Sequence, residues 1–186
     1  MMRGGWLAVC LGWAALTAQG GALALSEPEV MVHEEGGTYV VQADFFVPVP
    51  PVRAWQVLTD FDHMAEFIPH LERSRVVQRR GLTWQVDQAG NLELGIFRFR
   101  YETQREIVLL PYRRIEGHNL GGSLRLDSQT TLTPHKQGTL IHYEARGVAE
   151  VPLPASFGAS LMGERVRAQF AAIQAEILRR NGLQGG

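Results

Sequence analysis

Few side chains in this sequence have the type and spacing needed for chemistry on a substrate. Tyr39, Tyr101 and Tyr143 lie in segments where alternate residues are apolar, so their phenols are expected on a buried face. A buried phenol needs a hydrogen-bond partner, which a ligand, a neighbouring tyrosine or trapped water could supply. Arg165 lies one residue from an apolar stripe, where it could reach the mouth of a cavity and meet a head group.

The sequence does not indicate a nucleophilic or metal-dependent enzyme. The chain has a single cysteine, Cys10, and no G-x-S-x-G segment. Asp60, Asp62, His63 and His70 lie close together, but a proline interrupts the helix that would align them and no paired-histidine motif is present. We therefore expect no catalytic residues and no metal ligands, and the residues leave open whether the protein is an enzyme.

Composition limits the classes of protein that this chain can belong to. It carries 18 Lys+Arg and 19 Asp+Glu, a formal net charge of -1, with 45% hydrophobic residues. This balance is typical of a globular protein, and it lacks the clustered cations that nucleic-acid binding requires. One cysteine excludes an internal disulfide.

The N-terminal segment has the pattern of a signal peptide. Arg3 precedes an apolar run from Trp6 to about Ala18, and Ala22-Leu23-Ala24 offers the small residues that signal peptidase accepts. We expect cleavage after Ala24, export to the periplasm or the medium, and no stable membrane insertion afterwards. Residues 25–186 are expected to form one domain with its core at about 30–180.

The remaining sequence predicts an α+β fold. Apolar and polar residues alternate around Tyr39, Tyr101 and Tyr143 between glycine-containing turns, which indicates antiparallel strands with one buried face. Two short helices are predicted after the first strand, the second capped by Asp62. About six strands should follow, for a sheet of about seven. A long helix over Ser156–Arg180 is then predicted to cross the concave side of the sheet.

The segment from Asp60 to Pro69, preceded by Trp55, Val57 and Leu58, resembles the START-like helix-grip (SRPBCC) superfamily. Within it, the segment is similar to the polyketide cyclase and coenzyme Q-binding branch. The resemblance covers about Val30 to Arg180. It implies a curved sheet that grips the C-terminal helix and encloses an apolar cavity.

The pattern and the resemblance together predict an exported binding or carrier protein for a hydrophobic small molecule, such as a lipid or an isoprenoid quinone. The alternative is a cyclase or dehydratase acting on a polyketide-like substrate in the same cavity. No cofactor is expected apart from a quinone or lipid bound as ligand, and no nucleic-acid partner. The candidate ligand-binding residues are Tyr39, Val41, Trp84, Phe97, Phe99, Tyr101, Ile141, Tyr143, Met162, Arg165, Val166 and Phe170.

Overall fold

The computed structural model describes residues 25–94, 97–149 and 158–183, with side chains for all of these except 92–97, 149 and 158–161. The expected signal peptide and the expected cap Ser156 lie outside the described residues. The strands are β1 (Glu29–Glu35), β2 (Thr38–Val47), β3 (Leu71–Arg80), β4 (Thr83–Leu94), β5 (Phe97–Leu110), β6 (Arg114–Gly122), β7 (Leu124–His135) and β8 (Gly138–Ala149). The helices are α1 (Pro51–Leu58), a 3₁₀ helix (Phe61–Glu66) and α2 (Gly158–Arg180).

The strands form one antiparallel sheet in the order β1-β2-β8-β7-β6-β5-β4-β3. Strands β3 to β8 follow one another as a meander. Strand β2 pairs with β8, and Ala43 of β2 lies opposite Tyr143 of β8. The helix α2 contacts β1, β2 and α1. The predicted α+β helix-grip fold is therefore confirmed, with eight strands rather than about seven.

The additional strand is β1, which changes the order of the first elements. It pairs with β2 through the turn at Gly36 and Gly37, both of which have positive φ angles. Its glutamates are exposed, and only Val30 and Val32 are partly buried. Few apolar residues mark β1, so the sequence pattern does not predict it, and the strand that contains Tyr39 is the first predicted strand. The two short helices were expected after that strand, which is the second strand of the structure.

The two short helices cover one end of the sheet. Helix α1 begins with Pro51, whose missing N–H costs nothing in the first turn, and it buries Trp55 and Leu58. The next helix is a 3₁₀ helix, and Asp62 does not cap it as predicted. Instead, Asp62 accepts hydrogen bonds from the backbone N–H of Val76 at 2.7 Å and from Arg79 at 2.9 Å.

The helix α2 buries its apolar stripe most fully towards its C-terminal end. Its 23 residues span roughly 35 Å at about 1.5 Å per residue. Phe170, Ile173 and Ile177 are buried, whereas Met162 and Val166 are only partly buried. Space therefore remains under the first half of the helix. Within the described residues, no helix is both long and apolar enough to cross a membrane.

Charged side chains hold the end of α2 against the 3₁₀ helix. Glu176, whose side chain is 8% exposed, accepts hydrogen bonds from Arg179 and Arg180. Hydrogen bonds from Arg179, together with one from Arg180, lower the pKa of Glu176 from 4.5 to about 2, although burial acts to raise it. Arg180 also contacts Asp60 at 2.7 Å, and Asp60 in turn contacts His63. This network joins the helix to the Asp60–Pro69 segment that carries the family resemblance.

The side-chain amide of Gln174 connects α2 to β2 and to the segment before β1. Gln174 donates hydrogen bonds to the carbonyl of Phe46 in β2 at 2.9 Å and to that of Ser26 at 3.2 Å. Gln174 therefore ties the segment before β1 and the end of β2 to the helix.

Candidate functional site

A cavity of about 230 Å³ lies between the sheet and the first half of α2. Its wall combines residues of strands β2 to β8 with one face of α2 and with residues of both short helices. The inner end is apolar, bounded by Leu58, Phe61, Met64, Ile107 and Ile115. This mixture of apolar walls and a few polar groups is typical of small-molecule sites.

Eight of the twelve predicted residues line this cavity. Four come from three strands and four from the helix, so the alternation of the strands and the period of the helix bring them to one space. These residues are Tyr39, Val41, Tyr101, Tyr143, Met162, Arg165, Val166 and Phe170.

Three other predicted residues have described side chains that do not line the cavity. Ile141 is fully buried in the core next to β2. Trp84 lies at the far end of β4, where its indole N–H donates to the carbonyl of Gly81 at 3.1 Å and its ring meets Phe61. Phe99 is partly buried on β5. The side chain of Phe97 lies outside the described residues.

An aromatic cluster joins the sheet to α2 along one cavity wall. The ring of Phe170 lies 4.9 Å from that of Tyr143 and 5.7 Å from that of Phe45, measured between centroids. The Tyr143 hydroxyl forms a hydrogen bond with Ser128. Burial raises the pKa of Tyr143 and that of Tyr101. Both phenols therefore stay neutral near pH 7 and act as hydrogen-bonding groups rather than as bases.

The cavity wall also contains Arg105, which sequence reasoning missed. Arg105 lies on β5 between Val86 of β4 and Asn119 of β6. One terminal nitrogen donates to Gln88 Oε1, and the other lies 3.5 Å from Ser128 Oγ. Its buried Nε has no hydrogen-bond partner in the described part of the chain. Burial lowers the pKa of Arg105, which the nearby Tyr143 and Tyr101 oppose.

Two further polar atoms on the wall lack partners in the described residues. These are Oδ1 of Asn91, at the end of β4, and Oγ1 of Thr103, two residues before Arg105 on β5. Thr103 is 3% exposed, so solvent outside the protein does not reach its hydroxyl. We call Asn91, Thr103 and Arg105 the polar band of the wall, which also carries the polar side chains of Gln88, Ser128 and Thr130.

The outer end of the cavity is marked by two basic side chains. His70, which is exposed and has a φ angle of 63°, is hydrogen-bonded through Nε2 to Arg165 of α2. The His70 carbonyl accepts a hydrogen bond from the N–H of Asn91 and lies close to Gly90. A Cβ at Gly90 would be 2.3 Å from that carbonyl and 2.8 Å from the Tyr101 hydroxyl. Only glycine therefore fits where β4 passes this end.

The acidic and histidine residues near the 3₁₀ helix take part in ion pairs. His63 Nδ1 lies 2.7 Å from Asp60, and these contacts raise the pKa of His63. In the part of the chain that the structure describes, no group of three His, Cys, Asp or Glu side chains is arranged to hold a metal ion.

The fold and the cavity define a helix-grip protein with an internal cavity. Residues 47–173 match the family model described as polyketide cyclase / dehydrase and lipid transport. The chain therefore belongs to that family. No match was found among curated proteins.

Solved structures agree with this fold at low sequence identity. The Zhui aromatase/cyclase of a Streptomyces species is 15% identical with a TM-score of 0.65, covering 77% of this chain and 96% of its own. A STAR-related lipid transfer protein from Xanthomonas axonopodis is 10% identical with a TM-score of 0.65, covering 83% and 98%. A START superfamily protein from Mycobacterium smegmatis is 13% identical with a TM-score of 0.61, covering 76% and 98%.

Proposed function

We propose that this protein is an exported binding or carrier protein for a hydrophobic small molecule, a lipid or an isoprenoid quinone-like compound. The cavity under α2 is the observation that carries the proposal. Its apolar walls remove ligand surface from water at about 25 cal/mol per Å², so binding needs few polar contacts. The proposed ligand contacts are the eight predicted residues on the wall together with Arg105.

A cyclase or dehydratase remains the second candidate, because Arg105, Tyr143 and Ser128 lie together inside the cavity. These groups can polarise a carbonyl oxygen by hydrogen bonding. Such a reaction also needs a base, and the cavity wall in the described residues carries no Asp or Glu. The tyrosines stay neutral near pH 7, and His70 lies at the outer end. This residue set favours binding over catalysis.

The proposal is tested by isolating the protein from its native host and extracting it with organic solvent for mass spectrometry. We expect close to one apolar molecule per chain, and an N-terminus at Leu25 in the exported protein. Ala145→Leu adds bulk on the cavity wall and should remove most of the ligand. Ala175→Leu, on the exposed side of α2, is the matched control and should not.

Repeated empty preparations, or equal ligand content in the two variants, would contradict a carrier function. Incubating the extracted compound with fresh protein separates the two candidates. Recovery of the compound unchanged supports binding, and its chemical conversion supports the enzyme.

A further inference from the structure

The guanidinium of Arg105 is a partly buried cation on the cavity wall, without a counter-charge in the described residues. Arginine has five N–H donors, and here two of its nitrogens have neutral partners, Gln88 and Ser128, while Nε has none. Arg105 forms no ion pair with a described carboxylate. Among the described groups, Tyr143 and Tyr101 alone act to raise its pKa. A partly buried charge of this kind is costly unless something compensates it.

In the described residues the always-ionised side chains on the cavity wall are arginines, and the carboxylate of Glu72 lies outside the lining, where it accepts a hydrogen bond from Asn91. The described lining of the cavity contains no Asp or Glu, and its charged or titratable groups other than tyrosine are Arg105, Arg165 and His70. Low-dielectric walls strengthen the field of Arg105 inside the cavity. The cavity therefore favours an anion over a neutral or cationic head group.

The surroundings of Arg105 hold it in place for such a head group. Gln88, which accepts from Arg105, donates its own N–H to Ser74 Oγ at 3.0 Å, so its oxygen is fixed towards the guanidinium. The hydroxyls of Ser128 and Tyr143 lie beside it and are hydrogen-bonded to each other, which leaves one of their two O–H groups to donate to a ligand. A planar carboxylate matches the fork of an arginine, accepting two parallel hydrogen bonds.

We propose that the ligand is an apolar molecule with a single carboxylate, bound with that group on Arg105 and its apolar body between the sheet and α2. Each terminal nitrogen of Arg105 has two N–H groups and gives one of them to a neutral partner, Ser128 or Gln88, so the second N–H on each nitrogen remains for the carboxylate. The apolar stripe of α2 covers the rest of the molecule. This inference rests on the proposed binding function and narrows it from hydrophobic molecules in general to apolar acids.

The test compares ligands that share a tail and differ in the head. Binding of dodecanoate, dodecanol and decylubiquinone is measured at pH 8 by displacement of Nile red, a neutral probe, and by calorimetry. We expect dodecanoate to bind about 10- to 100-fold more tightly than dodecanol, as hydrogen bonds to charged groups imply. Arg105→Met should remove this preference while dodecanol still binds. Arg100→Met, an exposed position on the same strand, should keep the preference.

A second readout does not depend on the Met variant being folded. In the wild-type complex with [1-¹³C]dodecanoate, the bound carboxyl should stay ionised to lower pH than the free acid, because a neighbouring cation favours the charged form. Arg105→Lys keeps the charge without the fork and should retain part of the preference.

Each result supports or contradicts a distinct statement. If dodecanol or decylubiquinone binds as tightly as dodecanoate, or if Arg105→Met keeps the preference, this inference is wrong while the binding function stands. If none of the three ligands binds and Nile red does not either, the proposed binding function fails with it.

Discussion

Two buried threonines allow a direct test of the polar band on the cavity wall. Thr103 and Thr139 both lie in strands of the sheet, 3% and 0% exposed. Thr139 donates a 2.7 Å hydrogen bond to the carbonyl of Val49, whereas the hydroxyl of Thr103 has no partner among the described residues. Replacing each by valine keeps the shape and the strand preference and removes only the hydroxyl.

The two substitutions should change stability in opposite directions. Thr139→Val loses a hydrogen bond and leaves a buried carbonyl unpaired, so we expect a loss of about 1–3 kcal/mol in the free energy of unfolding. Thr103→Val removes a buried group without a partner, so we expect a gain of about 1 kcal/mol. With a urea m-value of about 2 kcal/mol per M, the gain raises the midpoint by roughly 0.5 M.

The assay is urea unfolding of the ligand-free protein, followed by far-ultraviolet circular dichroism. A loss of stability in Thr103→Val comparable to that in Thr139→Val would refute the reasoning, because it would mean that the Thr103 hydroxyl is hydrogen-bonded in the empty protein. Repeating the measurement with ligand shows whether the hydroxyl gains a partner there, since binding would then stabilise the wild type more than the variant.

Three further predictions concern the elements that shape the cavity. Glu176→Gln should lower the free energy of unfolding by about 1–2 kcal/mol at pH 7. Because the pKa of Glu176 is lowered from 4.5 to about 2, this contribution is complete above pH 4.5 and disappears as the pH falls towards 2. Urea unfolding of both proteins at pH 7, 4 and 2.5 will show this loss. Gln174→Leu should cost about 1–3 kcal/mol and increase amide exchange before β1, measured by hydrogen–deuterium exchange, and unchanged protection there would contradict its bridging role. Gly90→Ala should lower the urea midpoint strongly because its Cβ meets backbone at 2.3 Å, while Gly121→Ala, whose nearest contact is 3.4 Å, should leave it nearly unchanged.

Much of the site could be predicted because strand alternation is a local property. Tyr39, Val41 and Tyr143 were placed on the inner face from the period of two alone, and the structure places them on the cavity wall. The same period also places Thr103 and Arg105 on that face, between Tyr101 and Ile107. They were missed because polar side chains are expected on the wet face of such a strand.

Alternation could not show how far along a strand the cavity extends. Ile141 and Trp84 share the inner face of the sheet, but Ile141 lies in solid core and Trp84 at the far end of β4. Likewise, the leucine, phenylalanine and methionine of the two short helices border the cavity only because those helices fold over the end of the sheet. Such positions depend on how distant segments meet.

The sequence by itself determined the antiparallel sheet, the long terminal helix and the face on which each strand residue lies, because these follow from periodicity between neighbours in the chain. Only the tertiary structure decided which inward residues surround open space and that Arg105 lies there without a described carboxylate beside it. A cavity and a missing counter-charge depend on which residues, distant in the sequence, fail to approach one another in the fold. A local sequence pattern therefore cannot predict them.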